Sequence, residues 1–125
     1  MMGSPQQFIQ KDYLEAVLAS SISPMDYLQS QRATPGKYFL VDVRNAPAEK
    51  KQVKIEGAHD IPLQELEQRI GELPKGQTIL VYCWDVWCNM AKKASLILLN
   101  NGFEVKELSG GIAAWQQLRL PVEQL

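Results

Sequence analysis

Thr78-Ile79-Leu80-Val81-Tyr82-Cys83-Trp84-Asp85-Val86-Trp87-Cys88-Asn89-Met90 is the stretch that decides the fold. Its first five residues show almost no polar alternation, the pattern of a strand covered on both faces at the centre of a parallel sheet. From about Asn89 the period changes. Met90, Ala94, Ile97 and Leu98 recur at helical spacing, and Asn101-Gly102 supplies a left-handed C-terminal cap. Cys83 therefore stands at a strand-loop-helix junction. A thiol there faces backbone N–H groups and the positive end of the next helix, which favour thiolate and can lower its pKa below the free value of about 8.5. The competing reading is a small buried hydrophobe that ends a strand, since free cysteine is among the most buried residue types.

Outward from this stretch, helices and strands alternate. Ser4-Pro5-Gln6-Gln7 is a helix start, followed by Ile9, Tyr13, Val17 and by Phe8, Leu14, Leu18 at helical spacing. This predicts an N-terminal amphipathic helix over residues 1–20, whose apolar stripe must be covered, either by its own domain or by a second copy in a homodimer. Ser23-Pro24-Met25-Asp26 starts a second helix, and Tyr38 to Val43 is a short apolar strand. A looser polar segment follows. His59-Asp60-Ile61 allows a brief strand before Pro62, and Leu63, Leu66, Ile70 and Leu73 form one helical stripe closed by Pro74. Phe103 and Val105 alternate with Glu104 and Lys106 in a strand nearer an edge, and Gly110-Gly111 leads to a last helix with Ile112, Trp115 and Leu118. Strands separated by helices mean crossovers around a mostly parallel sheet.

With 125 residues the chain makes one domain that can bury a core without staples. Its formal net charge of -1 comes from interspersed acids and bases, which points to neither a nucleic-acid nor a membrane-surface partner. The beginning of the chain, Met1-Met2-Gly3-Ser4-Pro5, lacks the basic patch and apolar run of a secretory signal, so a cytoplasmic location is expected. Two cysteines in a reducing compartment read as redox or catalytic chemistry before a structural disulfide. No metal is expected: a zinc site would need Cys83, Cys88, the single histidine His59 and a carboxylate, and Cys-x₄-Cys is a loose spacing.

Four segments in order resemble the rhodanese-like domains. They are Asp42-Val43-Arg44, then Gly57-Ala58-His59-Asp60-Ile61-Pro62-Leu63, then Val81-Tyr82-Cys83 with its six-residue loop and helix, and Leu108-Ser109-Gly110-Gly111-Ile112-Ala113-Ala114-Trp115. The match runs from about Ser21 to Val122, so residues 21–125 form the rhodanese-like unit. The resemblance implies a three-layer α/β fold with a mostly parallel sheet of about five strands flanked by helices. It also implies a sulfurtransferase or persulfide carrier in which Cys83 accepts a sulfane sulfur and passes it to a thiol or other nucleophile, without a cofactor. Partners would be a small sulfur donor or a protein persulfide or thiol. Trp84, Asp85, Val86, Trp87 and Asn89 would form the active-site and substrate-binding loop, with Asp42 and Arg44 supporting it. The N–H groups of that loop would stabilise the terminal persulfide sulfur as an oxyanion hole does.

The loop departs from the family pattern. Many relatives carry glycine three positions after the cysteine and arginine five after it; here those places hold Val86 and Cys88. Loss of the arginine removes bidentate anion recognition, and Asp85 repels an anion, which argues against thiosulfate as natural donor and against phosphatase chemistry. A β-branched Val86 disfavours positive φ, so the loop must bend elsewhere. Cys88 reads equally as a resolving or sulfur-accepting thiol and as a packed residue. Trp84 and Trp87 cannot easily both point inward, which suggests a docking rim. His59 reads as a hydrogen-bonded structural residue, and Lys92 and Lys93 as a solvated helix face. Besides the sulfurtransferase, the residues allow a dithiol redox protein using Cys83 and Cys88, or a catalytically silent binding module.

Overall fold

In the computed structural model, which describes residues 3–125, Ser4 caps the first helix, α1 (Pro5–Ser20). The Ser4 hydroxyl accepts from the Gln7 amide at 3.3 Å, and the Gln7 side chain accepts from the Ser4 amide at 2.8 Å. The first two residues of the expected helical segment lie outside the described residues. Chain order then continues through β1 (Ser21–Ile22), α2 (Pro24–Ala33), β2 (Tyr38–Asp42), α3 (Ala48–Lys51), β3 (Val53–Ile55), β4 (His59–Asp60) and α4 (Leu63–Leu66). A 3₁₀ turn at Ile70–Glu72 precedes β5 (Thr78–Tyr82), α5 (Met90–Asn100), β6 (Val105–Leu108), α6 (Gly111–Gln117) and β7 (Val122–Gln124).

Five strands form one parallel sheet in the order β1-β6-β5-β2-β4, with β5 in the middle as its unbroken apolar pattern predicts. Alternation along β5 feeds two cores. Ile79 and Val81 meet Leu66, Ala91, Ala94 and Leu98 on the face covered by α4 and α5. Leu80 and Tyr82 meet Tyr27, Ile112 and Trp115 on the face covered by α2 and α6. The result is the expected three-layer α/β architecture. Cys83, the next residue after β5, falls on the α5 side by the same alternation.

Several local expectations are corrected. The Leu63–Leu73 stripe is not one helix: Gly71 weakens helix propagation and Pro74 ends it, so a single turn and a 3₁₀ turn bring Leu66 and Leu73 into the core separately. The polar segment after Arg44 holds α3 and β3, and β3 pairs antiparallel with the end of the chain, Val53 opposite Gln124 and Ile55 opposite Val122. The strand β6 does lie nearer an edge than β5, as its alternation predicts, with only the two-residue β1 outside it. No residue of α1 is buried, and Phe8, Ile9, Tyr13, Leu14 and Leu18 stay exposed, so its apolar stripe is open rather than packed on its own domain. Among the described residues no helix is long and apolar enough to cross a membrane.

Candidate functional site

At the C-terminal end of β2, Asp42 and Arg44 form a fully buried pair. The Arg44 Nε donates to both Asp42 oxygens at 2.9 and 3.1 Å, and Nη2 donates to Oδ2 at 2.6 Å. Arg44 Nη2 also donates to the Val53 carbonyl at 2.7 Å, which ties β3 to the sheet. Tyr82 completes the network: its hydroxyl donates to Asp42 Oδ2 at 2.8 Å and accepts from the Ile55 amide at 3.0 Å. Burial, with the Asp42 carboxylate beside it, pushes the Tyr82 hydroxyl pKa up. The Arg44 guanidinium lies 4.6 Å from the centroid of the Trp84 ring. The Asp42–Arg44 pair thus lies against Trp84, the first residue of the loop after Cys83.

The loop after Cys83 is held from a second direction. Ile112 and Ala113, in the first turn of α6, donate their amides to the carbonyls of Cys83 and Trp84, both at 2.9 Å. Close approach of the two backbones is possible because residue 111 is glycine at φ +59°; a Cβ there would sit 2.3 Å from the Cys83 carbonyl oxygen. In the sequence Gly110-Gly111 reads only as a turn, because the strand-end backbone it touches is nearly thirty residues away.

Between these supports the loop closes on itself through Asp85. Its Oδ1 accepts from the Trp87 amide at 2.9 Å and the Cys88 amide at 3.1 Å, and the Cys88 amide also donates to the Asp85 carbonyl at 3.3 Å. This turn lets the loop bend without a left-handed residue at Val86; the non-glycine residues at positive φ are Gln52 and Arg119. It also changes the expected cradle. Two of the N–H groups expected to face a persulfide are already taken by the Asp85 carboxylate.

Cys83 is 1% exposed, and its thiol donates to the Cys88 carbonyl oxygen at 3.5 Å. Burial, then the side chain of Cys88, pushes its pKa up to about 12, against the smaller opposite pull of backbone hydrogen bonds from Ala91 and Trp84. Desolvation in the core thus opposes the thiolate that the helix start was expected to favour. Both cysteines are free.

Above the loop lies a groove of about 580 Å³. Trp84, Asp85, Trp87 and Cys88 form one wall, and Asn45, Ala46, Pro47 and Lys50 form the other. The second wall has no local signal, since Glu49-Lys50-Lys51 is in the sequence only a short run of charges. In space α3 turns its two lysines apart, as neighbours on a helical turn must be. Lys51 goes inward to Asp60 at 2.7 Å, while Lys50 lines the groove. Trp84 is half-buried and packs on the second core, whereas Trp87 stands at the rim with 74% of its surface exposed.

Val86 and Asn89 do not line this groove. Val86 faces a separate apolar groove with Tyr13 and Val17 of α1 and Leu96 and Leu99 of α5, and Asn89 sits at the start of α5 without a side-chain cap. His59 stacks on Phe39, with centroids 4.0 Å apart, instead of taking the expected hydrogen-bonded place. Among the described residues no three metal-ligating side chains are grouped to hold an ion.

Comparison with known proteins agrees with this geometry. Residues 25–118 match the model of the rhodanese-like domain. A sulfurtransferase of Allochromatium vinosum is 32% identical over 96 residues, which are 76% of this chain and 87% of that protein. An HTH-type transcriptional regulator of Mycobacterium tuberculosis is 40% identical over 95 residues, 75% of this chain, but the chain spans only 41% of that protein's length. The crystal structure of a full-length Lactobacillus plantarum protein superposes with a TM-score of 0.89 at 39% identity, covering 95% of this chain and 99% of that one. A rhodanese-related protein of Thermoplasma volcanium superposes with a TM-score of 0.71 at 26% identity, covering 83% and 97%. With the family match over most of its length, the parallel sheet and the cysteine loop at the end of its central strand, this chain belongs to the rhodanese-like domain family.

Proposed function

We propose that this domain handles sulfane sulfur as a persulfide on Cys83, receiving it from an organic persulfide and releasing it to a thiol acceptor. The observation that carries the reading is the Cys83 thiol directly after the central strand β5, at the base of a loop that α6 holds through Ile112 and Ala113. In loading, a thiolate attacks the outer sulfur of R–S–SH and R–S⁻ leaves; in unloading, an acceptor thiolate attacks the outer sulfur of the Cys83 persulfide and Cys83 leaves. The sulfur keeps its oxidation state throughout, so no redox cofactor is required. The buried setting keeps water away from the terminal sulfur.

Charge in the groove favours an organic persulfide over an inorganic dianion. Asp85 lines it, and among the described residues on its walls Lys50 is the one cation. A single lysine is a point charge and lacks the paired donors that clamp an oxyanion. Intact-mass measurement of the reduced protein tests the reading. Cysteine persulfide should add one sulfur that reductant removes, thiosulfate should add it at least about tenfold more slowly, and Cys83→Ser and Cys83→Ala should both hold no sulfur at position 83. A sulfur-free Cys83 under every donor would overturn the assignment.

The raised pKa sets a pH dependence. Well below about 12 the thiolate fraction of Cys83 grows in proportion to hydroxide. In Cys88→Ser, where position 83 carries the remaining thiol and burial still acts on it, the rate of its alkylation by iodoacetamide should rise about tenfold per pH unit from about pH 6 to pH 9. A plateau beginning near pH 7 would show that the thiol is not held protonated by its surroundings.

A further inference from the structure

We infer that Cys88 is the entry thiol of a two-cysteine relay, taking the sulfane sulfur from a persulfide donor in the groove and passing it to Cys83. The inference rests on the proposed persulfide at Cys83 and assigns the residue that first meets the donor. Cys83 is 1% exposed and is absent from the groove walls, whereas Cys88 is half-buried and lines them. A donor seated between Trp87 and Lys50 therefore reaches the sulfur of Cys88 before that of Cys83. The two cysteines are also in contact: the Cys83 thiol donates to the Cys88 carbonyl, and both pack against the same core.

The chemistry balances without an outside oxidant or reductant. The Cys88 thiolate attacks the outer sulfur of R–S–SH, expels R–S⁻ and becomes Cys88–S–SH, which gives its proton to R–S⁻ or solvent and stands as Cys88–S–S⁻. Cys83 then attacks the outer sulfur of that persulfide, its own proton passing to the departing Cys88 sulfur. The products are Cys83–S–S⁻ and Cys88–SH when the starting pair is Cys83–SH and Cys88–S–S⁻. Inward transfer moves the sulfur from the half-buried Cys88 to Cys83, which is 1% exposed and out of reach of solvent.

Rapid-quench loading with cysteine persulfide tests the relay, with fragmentation of the tryptic peptide 76–92, which contains both cysteines, locating the added sulfur. In the unmodified protein sulfur should appear on Cys88 first and on Cys83 later. Cys83→Ser should trap it on Cys88 with none passed on, and Cys88→Ser should load Cys83 at least about tenfold more slowly. Loading of Cys83 at an unaltered rate in Cys88→Ser overturns the relay and leaves the persulfide on Cys83 standing. Loss of two hydrogens with sulfide release overturns it in favour of a resolving role for Cys88. Sulfur that stays on Cys88 and never reaches Cys83 overturns both assignments.

Discussion

Asp42→Ala is expected to lower the stability of the folded domain by about 3–5 kcal/mol, the usual consequence of stranding one partner of a buried ion pair. Asp42 and Arg44 are 0% and 1% exposed, so solvent cannot take over the lost contacts. Three side-chain hydrogen bonds from Arg44 end on the Asp42 carboxylate, and the Tyr82 hydroxyl loses its acceptor as well. The guanidinium would remain charged in the core with the Val53 carbonyl as its remaining partner. For a domain whose total stability is of the order of 5–15 kcal/mol, the urea midpoint should fall steeply. Because the same guanidinium lies against Trp84, sulfur uptake should drop even in the fraction that stays folded. Changing both residues, Asp42→Leu with Arg44→Met, should recover a large part of the stability but not the placement of Trp84. An unchanged midpoint in Asp42→Ala would mean the pair does not hold the end of the sheet.

Gly111→Ala is the second large effect, expected at about 2–4 kcal/mol from overpacking together with left-handed backbone strain. The added methyl would lie 2.3 Å from the Cys83 carbonyl oxygen and 2.9 Å from the carbonyl carbons of Cys83 and Trp84. All three are backbone atoms, which cannot rotate out of the way. Relief requires α6 to move off the loop, which breaks the amide contacts from Ile112 to Cys83 and from Ala113 to Trp84. Sulfur uptake should fall by at least about tenfold, because a displacement near 1 Å is enough to spoil reactive geometry. Gly36→Ala provides the control: Gly36 also has positive φ, but nothing lies within 4 Å of its added Cβ. It should cost only about 1 kcal/mol and leave sulfur uptake unaltered. Equal effects from the two substitutions would remove the special role of the α6 contact.

Much of the fold was legible because its signals are local. Continuous apolar character along Thr78–Tyr82 places β5 in the middle of the sheet, and the Ser4-x-x-Gln7 box starts α1 where its spacing predicts. What escaped were elements stabilised by distant partners. β1 has only two residues and exists through its pairing with β6, and β3 exists through β7, about seventy residues later in the chain. A two- or three-residue strand has too few positions to display a period, so no local pattern distinguishes it from loop.

For the site, the sequence alone determined which thiol ends the central strand, which loop follows it, and that the loop lacks an arginine at its fifth position. Those are properties of order along the chain, and a parallel sheet turns them directly into position. Tertiary structure alone decided the ionisation and access of that thiol. Burial is a sum over groups brought in from every layer, so a cysteine whose loop favours thiolate has its pKa pushed up at the base of a loop whose donors Asp85 has partly claimed. It also brought Lys50 across from α3 and left Cys88, rather than Cys83, facing the groove. Side-chain direction at a turn depends on which backbones pack against it, and here these are α6 and the Asp42–Arg44 pair, both remote in sequence from the loop they hold.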